Sequence, residues 1–270
     1  MIYGVYFSAT TTTEKVVGAM MEGIGMECKS INVTHKEIEA LKTGKDDLVI
    51  FAAPVYGGKM APIAKERMAN ICGNNTPCIV VVVYGNRAFE NALCDIAQFV
   101  AERGFVPVGA AAFVGEHSYS TANFPIAAGR PDQEDMATAR AFGQEIRAKL
   151  NSDTLKNVDV ATLKDWPVSD ESLKNFREFI MRYQKQQSET PVKLVPVTDS
   201  ELCIKCGECI ALCPTGAIAD DCVTVDNTKC IKCCACVKGC KMNARKLDSP
   251  FAPVLSQNFG ERKPVIMKLL

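Results

Sequence analysis

Two nearly identical cysteine runs constrain the fold of this 270-residue chain more than any other feature. The runs are CIKCGECIALCP at 203–214 and CIKCCACVKGCK at 230–241, and each contains the spacing C-x2-C-x2-C-x3-C. Three cysteines spaced in this way wrap one corner of a [4Fe–4S] cluster, whereas the fourth lies too far along the chain to bind the same cluster. Two such runs therefore predict two clusters, each completed by the last cysteine of the other run.

The eight cysteines of the runs form two predicted ligand sets. The first set is Cys203, Cys206, Cys209 and Cys240, and the second set is Cys230, Cys233, Cys236 and Cys213. Zinc is the alternative, because thiolates alone do not select a metal. A zinc ribbon, however, uses two CxxC pairs and only four ligands. The number and spacing of these cysteines therefore favour two iron–sulfur clusters.

Residues beside the runs differ between the two copies. Pro214 follows the first run, whereas Lys241 takes that place after the second. This difference removes no ligand and bears on packing and hydrogen bonding around the cluster sulfurs. Cys234 occupies the position of Gly207, and Cys222 lies between the runs. We interpret both cysteines as small buried residues, with a spare ligand as the alternative.

Composition describes a core-forming chain and argues against several functions. Hydrophobic residues make up 47% and charged residues 23%, which is typical of a folded soluble protein. Basic and acidic residues both number 31, which argues against a nucleic-acid-binding protein. The N-terminus does not resemble a signal peptide, and no apolar run approaches the roughly 18 residues that span a bilayer. We therefore expect a cytoplasmic protein whose reduced cysteines bind metal.

The uneven distribution of cysteines indicates two modules. In the first, residues 1–150, apolar β-rich runs alternate with segments of helical length. The predicted strands are 2–7, 28–33, 48–53, 78–84 and 105–114, and the predicted helices are 13–25, 60–71, 87–103 and 132–150. This alternation predicts an α/β fold with a doubly wound, parallel, five-stranded sheet.

Three segments are predicted after the first module. An extension over 151–192 contains a helix at 169–186 and a polar linker at 184–191. Residues 193–250 form a small α+β cysteine domain, with a hairpin around IADDCVTV between its halves. The tail, 251–270, is apolar enough that we expect it to pack back onto a neighbouring element.

The loop after the first strand, SATTTTEK, is rich in hydroxyl groups. In a doubly wound sheet this loop leads into a helix whose free N–H groups can bind phosphate. The chain has no GxxxxGK[ST] motif, so a nucleoside triphosphate is not favoured. The loop instead suits the monoester phosphate of FMN, and its candidate residues are Ser8, Thr10, Thr11, Thr12 and Thr13. A threonine-rich loop without a ligand is the alternative.

Two further loops follow strands that end at the same edge of the sheet. They are APVYGG at 53–58 and YGNRAF at 84–89. We interpret them as flanking the flavin ring, with ordinary glycine-containing turns as the alternative. The candidate cofactor-binding residues are Pro54, Val55, Tyr56, Gly57, Gly58, Tyr84, Gly85, Asn86 and Arg87.

A longer loop, GEHSYSTANFP at 115–125, follows the last predicted strand. His117 is the candidate catalytic residue, because an imidazole can protonate a substrate or bond the flavin. A structural histidine is the alternative. We interpret Arg87 and Arg130 as surface-exposed residues, with the binding of an anionic substrate as the alternative.

Residues 1–150 resemble the flavodoxins, in which one loop binds the phosphate and two loops flank the isoalloxazine ring. This resemblance implies that Tyr56 stacks on the ring. It also implies hydrogen bonds to the polar edge of the ring from the backbone amides of Gly57, Gly58, Gly85 and Asn86. Residues 197–250 resemble the bacterial two-cluster ferredoxins. The whole order resembles the flavodoxin–ferredoxin fusion proteins found mainly in anaerobic bacteria and archaea.

Electron transfer between two [4Fe–4S] clusters and FMN is therefore the predicted function, because clusters pass single electrons and FMN holds one or two. Lysines near the runs would offset cluster charge and form a docking face for an acidic redox partner. They are Lys205, Lys229, Lys232, Lys238 and Lys241, and ordinary solvated lysines are the alternative. Competing functions are an FMN-dependent oxidoreductase acting on a small oxidant such as a quinone, and a redox sensor. If the predicted linker kept the clusters from the flavin of the same chain, a homodimer would bring them together.

Overall fold

The computed structural model describes residues 1–152 and 154–270, which divide into two compact units. The first unit comprises 1–116, 129–166 and 262–270, and the second comprises 117–128 and 167–261. This division differs from the predicted boundaries. The loop 117–128 lies in the cysteine-rich unit, and the last residues of the tail lie in the sheet unit.

The secondary structure elements are as follows. The strands are β1 (Ile2–Tyr6), β2 (Cys28–Asn32), β3 (Leu41–Lys42), β4 (Leu48–Tyr56), β5 (Lys59–Met60), β6 (Ile71–Cys72), β7 (Thr76–Tyr84), β8 (Phe105–Val114), β9 (Val197–Thr198), β10 (Arg245–Lys246) and β11 (Ile266–Leu269). The helices are α1 (Thr12–Ile24), α2 (Pro62–Arg67), α3 (Ala92–Ala101), α4 (Gln133–Ser152), α5 (Asp170–Glu189), α6 (Glu208–Ala211), α7 (Ala235–Lys238) and α8 (Phe251–Asn258), with a 3-10 turn at Val160–Thr162. Within this described part of the chain, no helix has the length and apolar character needed to cross a bilayer.

The first unit is built on a sheet with the strand order β11-β8-β7-β4-β1-β2, and the short β5 pairs with β4. The five predicted strands correspond to β1, β2, β4, β7 and β8, and they are parallel. Numbered among themselves, these strands have the order 2-1-3-4-5, which is the flavodoxin-like order. The predicted doubly wound sheet is therefore confirmed.

The C-terminal tail adds an antiparallel edge strand to this sheet. β11 pairs with β8, so that Ile266 lies opposite Ala112. Lys263, just before β11, is 3% exposed, and its Nζ donates a hydrogen bond to the Arg87 carbonyl. The prediction that the tail packs back onto a neighbouring element is confirmed.

Two predicted helices of the first unit are shorter than expected. The segment predicted as a helix over 60–71 contains only α2, because its ends pair with neighbouring strands. Met60 pairs with Val55 of β4, and Ile71 pairs with Leu41 of β3. Similarly, α3 begins at Ala92 instead of residue 87. Tertiary strand pairing overrides local helix propensity at the two ends of the 60–71 segment.

Helices α1 and α4 approach closely because each has a glycine at the contact. A Cβ atom on Gly23 would lie 2.0 Å from the Arg140 carbonyl oxygen. A Cβ atom on Gly143 would lie 2.1 Å from the Met20 carbonyl oxygen. By contrast, a Cβ atom on Gly18, also in α1, would meet nothing within 4 Å.

We expect Gly143→Ala to lower the free energy of unfolding by about 1–3 kcal/mol, because the added methyl group must push two backbones apart. Gly18→Ala is expected to raise the free energy of unfolding by up to about 1 kcal/mol, because alanine favours helices and has space there. Urea unfolding followed by circular dichroism measures both effects. Equal changes in the two variants would contradict the close helix contact.

The second unit contains both cysteine runs. β9 and β10 form an antiparallel pair, with Thr198 opposite Arg245. Each run contributes a short helix, α6 in the first and α7 in the second. Ile218 and Val225 form an isolated antiparallel bridge at the position of the predicted hairpin.

The predicted linker at 184–191 is wrong over most of its length. The predicted helix begins as expected, with the Ser169 side chain accepting a hydrogen bond from the Ser172 N–H, but α5 then continues to Glu189. Lys185 and Glu189 lie 3.9 Å apart at helical spacing. Gln, Lys and Glu are good helix formers, so the polar composition here belongs to an exposed helix.

Aromatic packing explains why 117–128 belongs to the second unit. The Tyr119 ring centroid lies 6.2 Å from that of Phe251, which lies 4.9 Å from that of Tyr183. Ile126 is fully buried in the same cluster. These contacts join the segment to α5 and α8.

Candidate functional site

The eight cysteines of the predicted ligand sets line two cavities of the second unit. The first cavity, about 360 Å³ including space open to solvent, is lined by Cys203, Cys206, Cys209 and Cys240. The second, about 320 Å³ on the same basis, is lined by Cys213, Cys230, Cys233 and Cys236. Each cavity combines three cysteines of one run with the last cysteine of the other. This is the crossed arrangement that the spacing predicts.

The cavities and their donors fit clusters of several irons. Structural zinc requires four ligands converging to about 2.0–2.3 Å from one ion. No group of three or more His, Cys, Asp or Glu side chains in residues 1–152 and 154–270 has an arrangement that could hold one metal ion. Cysteine thiolates around a cavity are the donor set that [4Fe–4S] clusters use.

The two runs adopt the same backbone conformation around their cavities. Lys205 and Lys232 hold equivalent positions and have φ angles of 53° and 58°. Gly207 and Cys234 are also equivalent, with φ angles of 79° and 61°. The left-handed conformation is uncommon for residues other than glycine. Each run therefore turns sharply at two positions between its cysteines, which places three thiols around one cavity.

Each cavity is also lined by a cysteine outside the ligand sets, Cys222 in the first and Cys234 in the second. The Cys222 Sγ donates to the Asp220 carbonyl at 3.9 Å, and the Cys234 Sγ donates to the Lys232 carbonyl at 3.7 Å. Both cysteines are buried, and burial raises the pKa of the Cys234 thiol. Burial together with a backbone hydrogen bond agrees with the interpretation of both cysteines as small buried residues.

Burial also raises the pKa of thiols within the ligand sets. The pKa of Cys233 rises to about 12, and the pKa values of Cys209 and Cys236 rise for the same main reason. A metal ligand must be a thiolate, so cluster binding must displace these protons. We therefore expect cluster assembly and folding of this unit to be coupled.

The predicted phosphate loop of the first unit leads into α1. Thr11 is the N-cap residue, with a φ angle of 63° and no side-chain hydrogen bond to the helix. The Ser8 Oγ accepts a hydrogen bond from the Glu14 N–H at 3.0 Å. Thr13 is 1% exposed, and its hydroxyl has no partner among the described residues. An unpaired buried hydroxyl is unfavourable, and a phosphate bound at this helix terminus would pair with it.

The second predicted loop is a β-hairpin. β4 continues to Tyr56, which pairs with Lys59 of β5. Gly57 and Gly58 form the two-residue turn with φ angles of 60° and 78°, a conformation that glycine adopts freely. A Cβ atom on Gly58 would lie 2.1 Å from the Glu90 Oε2 atom. Strand pairing therefore fixes Tyr56 next to a turn that requires glycine.

The third predicted loop lies against this hairpin. The Asn91 N–H donates to the Gly58 carbonyl at 3.1 Å. Arg87 forms an ion pair with Glu90, with 2.5 Å between Nη1 and Oε1. Asn86 is buried and has a φ angle of 65°. The carboxyl ends of β4 and β7 are thus joined by hydrogen bonding between their loops.

The other candidate cofactor residues lie within a strand or make contacts with neighbouring residues of the fold. Pro54 and Val55 lie within β4, and Gly85 accepts a hydrogen bond from the Arg87 N–H at 2.9 Å. Tyr84 is buried against Phe89, with 5.5 Å between ring centroids. Flavin contacts at these residues stay a prediction.

His117, the candidate catalytic residue, lies in the second unit. Its Nδ1 accepts a hydrogen bond from the Tyr119 N–H at 3.0 Å. This bond places the proton of a neutral imidazole on Nε2. A catalytic role for His117 stays a prediction.

The expected surface exposure of Arg130 is wrong. The residue is 7% exposed, and its Nε donates to the Asp135 Oδ2 atom at 2.7 Å. Its Nη1 donates to the Lys263 carbonyl at 2.8 Å. A guanidinium held in this way braces α4 and the C-terminal tail, and it is not available to a substrate.

Arg245 is a site residue that the sequence analysis did not identify. It is 3% exposed and lines the first cavity. Arg245 lies five residues after Cys240, just as Ile218 lies five residues after Cys213. The sequence signal for Arg245 was that an arginine occupies the position that holds an apolar residue in the other half of the repeat.

Comparisons with known proteins address the two units separately. Residues 196–219 match a family model described as a 4Fe-4S binding domain. Similar solved structures include an archaeal flavodoxin, with 15% identity over 56% of this chain and 98% of that chain and a TM-score of 0.39. A flavodoxin from Streptococcus pneumonia TIGR4 has 20% identity over 55% and 98%, with a TM-score of 0.38. Flavodoxin 1 from Bacillus cereus has 16% identity over 56% and 97%, with a TM-score of 0.40. No curated protein matches the chain significantly.

The sheet order and the family match together define the architecture. A flavodoxin-like α/β sheet precedes a 4Fe-4S ferredoxin-type segment in one chain. This order of units agrees with the fusion architecture that the resemblance predicts.

Proposed function

We propose that the chain transfers electrons between two [4Fe–4S] clusters and FMN in the reducing environment of the cytoplasm. The crossed cysteine sets are the main support, because Cys240 lines the cavity of the first run and Cys213 lines that of the second. This exchange matches the ligand pattern of two-cluster ferredoxins. None of the eight cysteines of the two sets is part of a disulfide, so all of them are open to cluster ligation.

FMN, when bound, supplies a centre that holds one or two electrons, whereas the clusters exchange single electrons. The carboxyl ends of β1 and β4 form the switch point at which flavodoxin-like sheets bind FMN. The first turn of α1 and the Thr13 hydroxyl suit the phosphate, and Tyr56 suits the ring.

Ligand exposure supports the first cavity as the place where external electrons enter or leave. Cys206 is exposed, whereas Cys233 and Cys236 of the second set are buried. Ile204, between two ligands of the first set, is 64% exposed. Lys205 lies next to it and is also exposed. An exposed apolar side chain next to Lys205, with Lys241 lining the same cavity, suits an acidic carrier protein.

Cofactor analysis and reoxidation of the reduced protein test this proposal. Anaerobically purified protein is expected to contain about eight iron atoms, about eight sulfides and about one FMN per chain. After reduction and removal of excess reductant, an acidic electron carrier protein should reoxidise it rapidly. The double variant Lys205→Glu/Lys241→Glu should slow this reaction by about tenfold at low salt, because electrostatic steering is lost.

The matched control is Lys174→Glu/Lys185→Glu, which makes the same charge change on exposed positions of α5. It should leave the reoxidation rate nearly unchanged. Reoxidation by a quinone alone, slowed by His117→Gln, would instead support the reductase. A change of partner binding on reduction, without turnover, would support the sensor.

A further inference from the structure

The guanidinium of Arg245 is buried among uncharged groups. Its Nη1 donates to the Thr198 Oγ1 atom and to the Cys222 carbonyl, each at 2.8 Å, and lies 3.9 Å from the Cys209 Sγ. Its Nε and Nη2 atoms are buried and have no hydrogen-bond partner within residues 1–152 and 154–270. Because a guanidinium carries five N–H donors, several donors of Arg245 lack an acceptor.

A buried cation with neutral partners is strongly unfavourable unless an anion compensates it. Arg245 lines the first cavity together with the predicted ligands of the first cluster. An oxidised [4Fe–4S] cluster with four thiolates carries about two negative charges. The cluster would therefore supply both the missing charge and sulfur acceptors for the unpaired donors.

The two halves of the repeat differ in charge at the position of Arg245. Ile218, the counterpart of Arg245 in the first half, belongs to the apolar cluster of this unit. Only one of two equivalent positions therefore provides a cation. A cation stabilises the reduced, more negative form of a nearby cluster, and hydrogen bonds to its sulfurs act in the same direction.

We propose that Arg245 is an internal counter-cation of the first cluster site, and that it raises the reduction potential of the first cluster more than that of the second. This inference rests on the proposed occupancy of the cavities by [4Fe–4S] clusters. Arg245 acts as a positioning residue: it lies beside the ligand Cys209 and exchanges no proton or electron itself. Its asymmetric position makes the first cluster the preferred site of the electron.

Potentiometric titration of the full-length, cluster-loaded protein, followed by electron paramagnetic resonance, tests this inference. In Arg245→Met, the reduction equilibrium constant of one cluster should fall about tenfold or more, or about 59 mV for each factor of ten. The other cluster should shift less. Arg245→Lys, which keeps the charge, should recover most of the shift. The shift in Arg245→Met should persist at high salt, because buried charges are poorly screened.

Two control variants separate a redox role from a structural one. Thr198→Val removes a hydrogen bond of Arg245 but keeps the charge, so it should lower stability with little change of potential. Lys246→Met removes the exposed lysine next to Arg245 and should leave both potentials nearly unchanged. If Arg245→Met loses iron, Arg245→Gln and Arg245→Lys provide the comparison.

Unchanged potentials, or equal shifts of both clusters, in iron-replete Arg245 variants would overturn the inference and leave the proposed function intact. Wild-type protein without iron and sulfide would overturn the proposed function, and this inference with it.

Discussion

Cys240→Ala is expected to remove the cluster of the first run, although Cys240 belongs to the second. Cys240 lines the first cavity with Cys203, Cys206 and Cys209. Loss of a ligand from this predicted [4Fe–4S] site should lower the iron content to roughly half, because the second set keeps all four ligands. Cys213→Ala should lower iron equally by removing the other cluster.

Double variants identify which cluster is lost. Cys240→Ala/Cys203→Ala should retain about half of the iron, because both residues serve one cluster. Cys240→Ala/Cys230→Ala should retain almost none, because each substitution removes a different cluster. Iron and sulfide analysis of anaerobic preparations, with resonance spectra of the reduced protein, measures both results. The reverse pattern would show that each run completes its own cluster.

Cys222 requires a control of its own because it lines the same cavity as Cys240. A neighbouring thiol could replace the missing ligand in Cys240→Ala. Adding Cys222→Ala to that variant excludes this rescue, while Cys222→Ala alone should keep full iron. Cys234→Ala is the corresponding control for the second cavity.

The grouping of the cysteines around two cavities could be predicted because it follows from short-range spacing. Residues two or three apart must share a loop, so the three-plus-one division follows from the reach of the chain. The repeat predicts that the last cysteine of each run joins the other run's set, because Cys213 and Cys240 hold equivalent positions. The residues that line the two cavities agree with this three-plus-one grouping.

The five long strands of the first unit could also be predicted from the sequence. Runs such as CIVVVVY are apolar throughout because a parallel strand is covered on both faces, and β7 is almost entirely buried. The hairpin at Gly57 and Gly58 was not predicted, because β5 has only two residues. Its formation depends on pairing with β4, which local composition does not reveal.

The two buried arginines could not be placed from sequence. An arginine is buried only where distant groups receive its donors, and such partners are invisible in local patterns. Arg130 is held by Asp135 and by the Lys263 carbonyl from the far end of the chain. Arg245 is held by Thr198, 47 positions away. For both residues, tertiary partners decide the burial.

The Thr13 hydroxyl provides a test of the flavin site in which affinity and stability change in opposite directions. We expect Thr13→Val to weaken FMN binding by roughly 10- to 100-fold, because a hydrogen bond to a charged group contributes about 1.5–3 kcal/mol. The same substitution should stabilise the flavin-free protein. It removes a buried hydroxyl that has no partner in the described part of the chain and replaces it with a methyl group of similar shape.

Fluorescence titration of the flavin-free, full-length protein with FMN measures the affinity, and urea unfolding without flavin measures the stability. Riboflavin, which lacks the phosphate, should bind wild type and Thr13→Val equally. Thr138→Val is the matched control, because the Thr138 hydroxyl donates to the Glu134 carbonyl on the exposed face of α4. Equal losses of FMN and riboflavin affinity would contradict a phosphate contact at Thr13. A simple packing defect would lower both the stability of the flavin-free protein and its affinity for FMN. A gain in stability together with a loss of FMN affinity is therefore the result expected only if the Thr13 hydroxyl contacts the ligand.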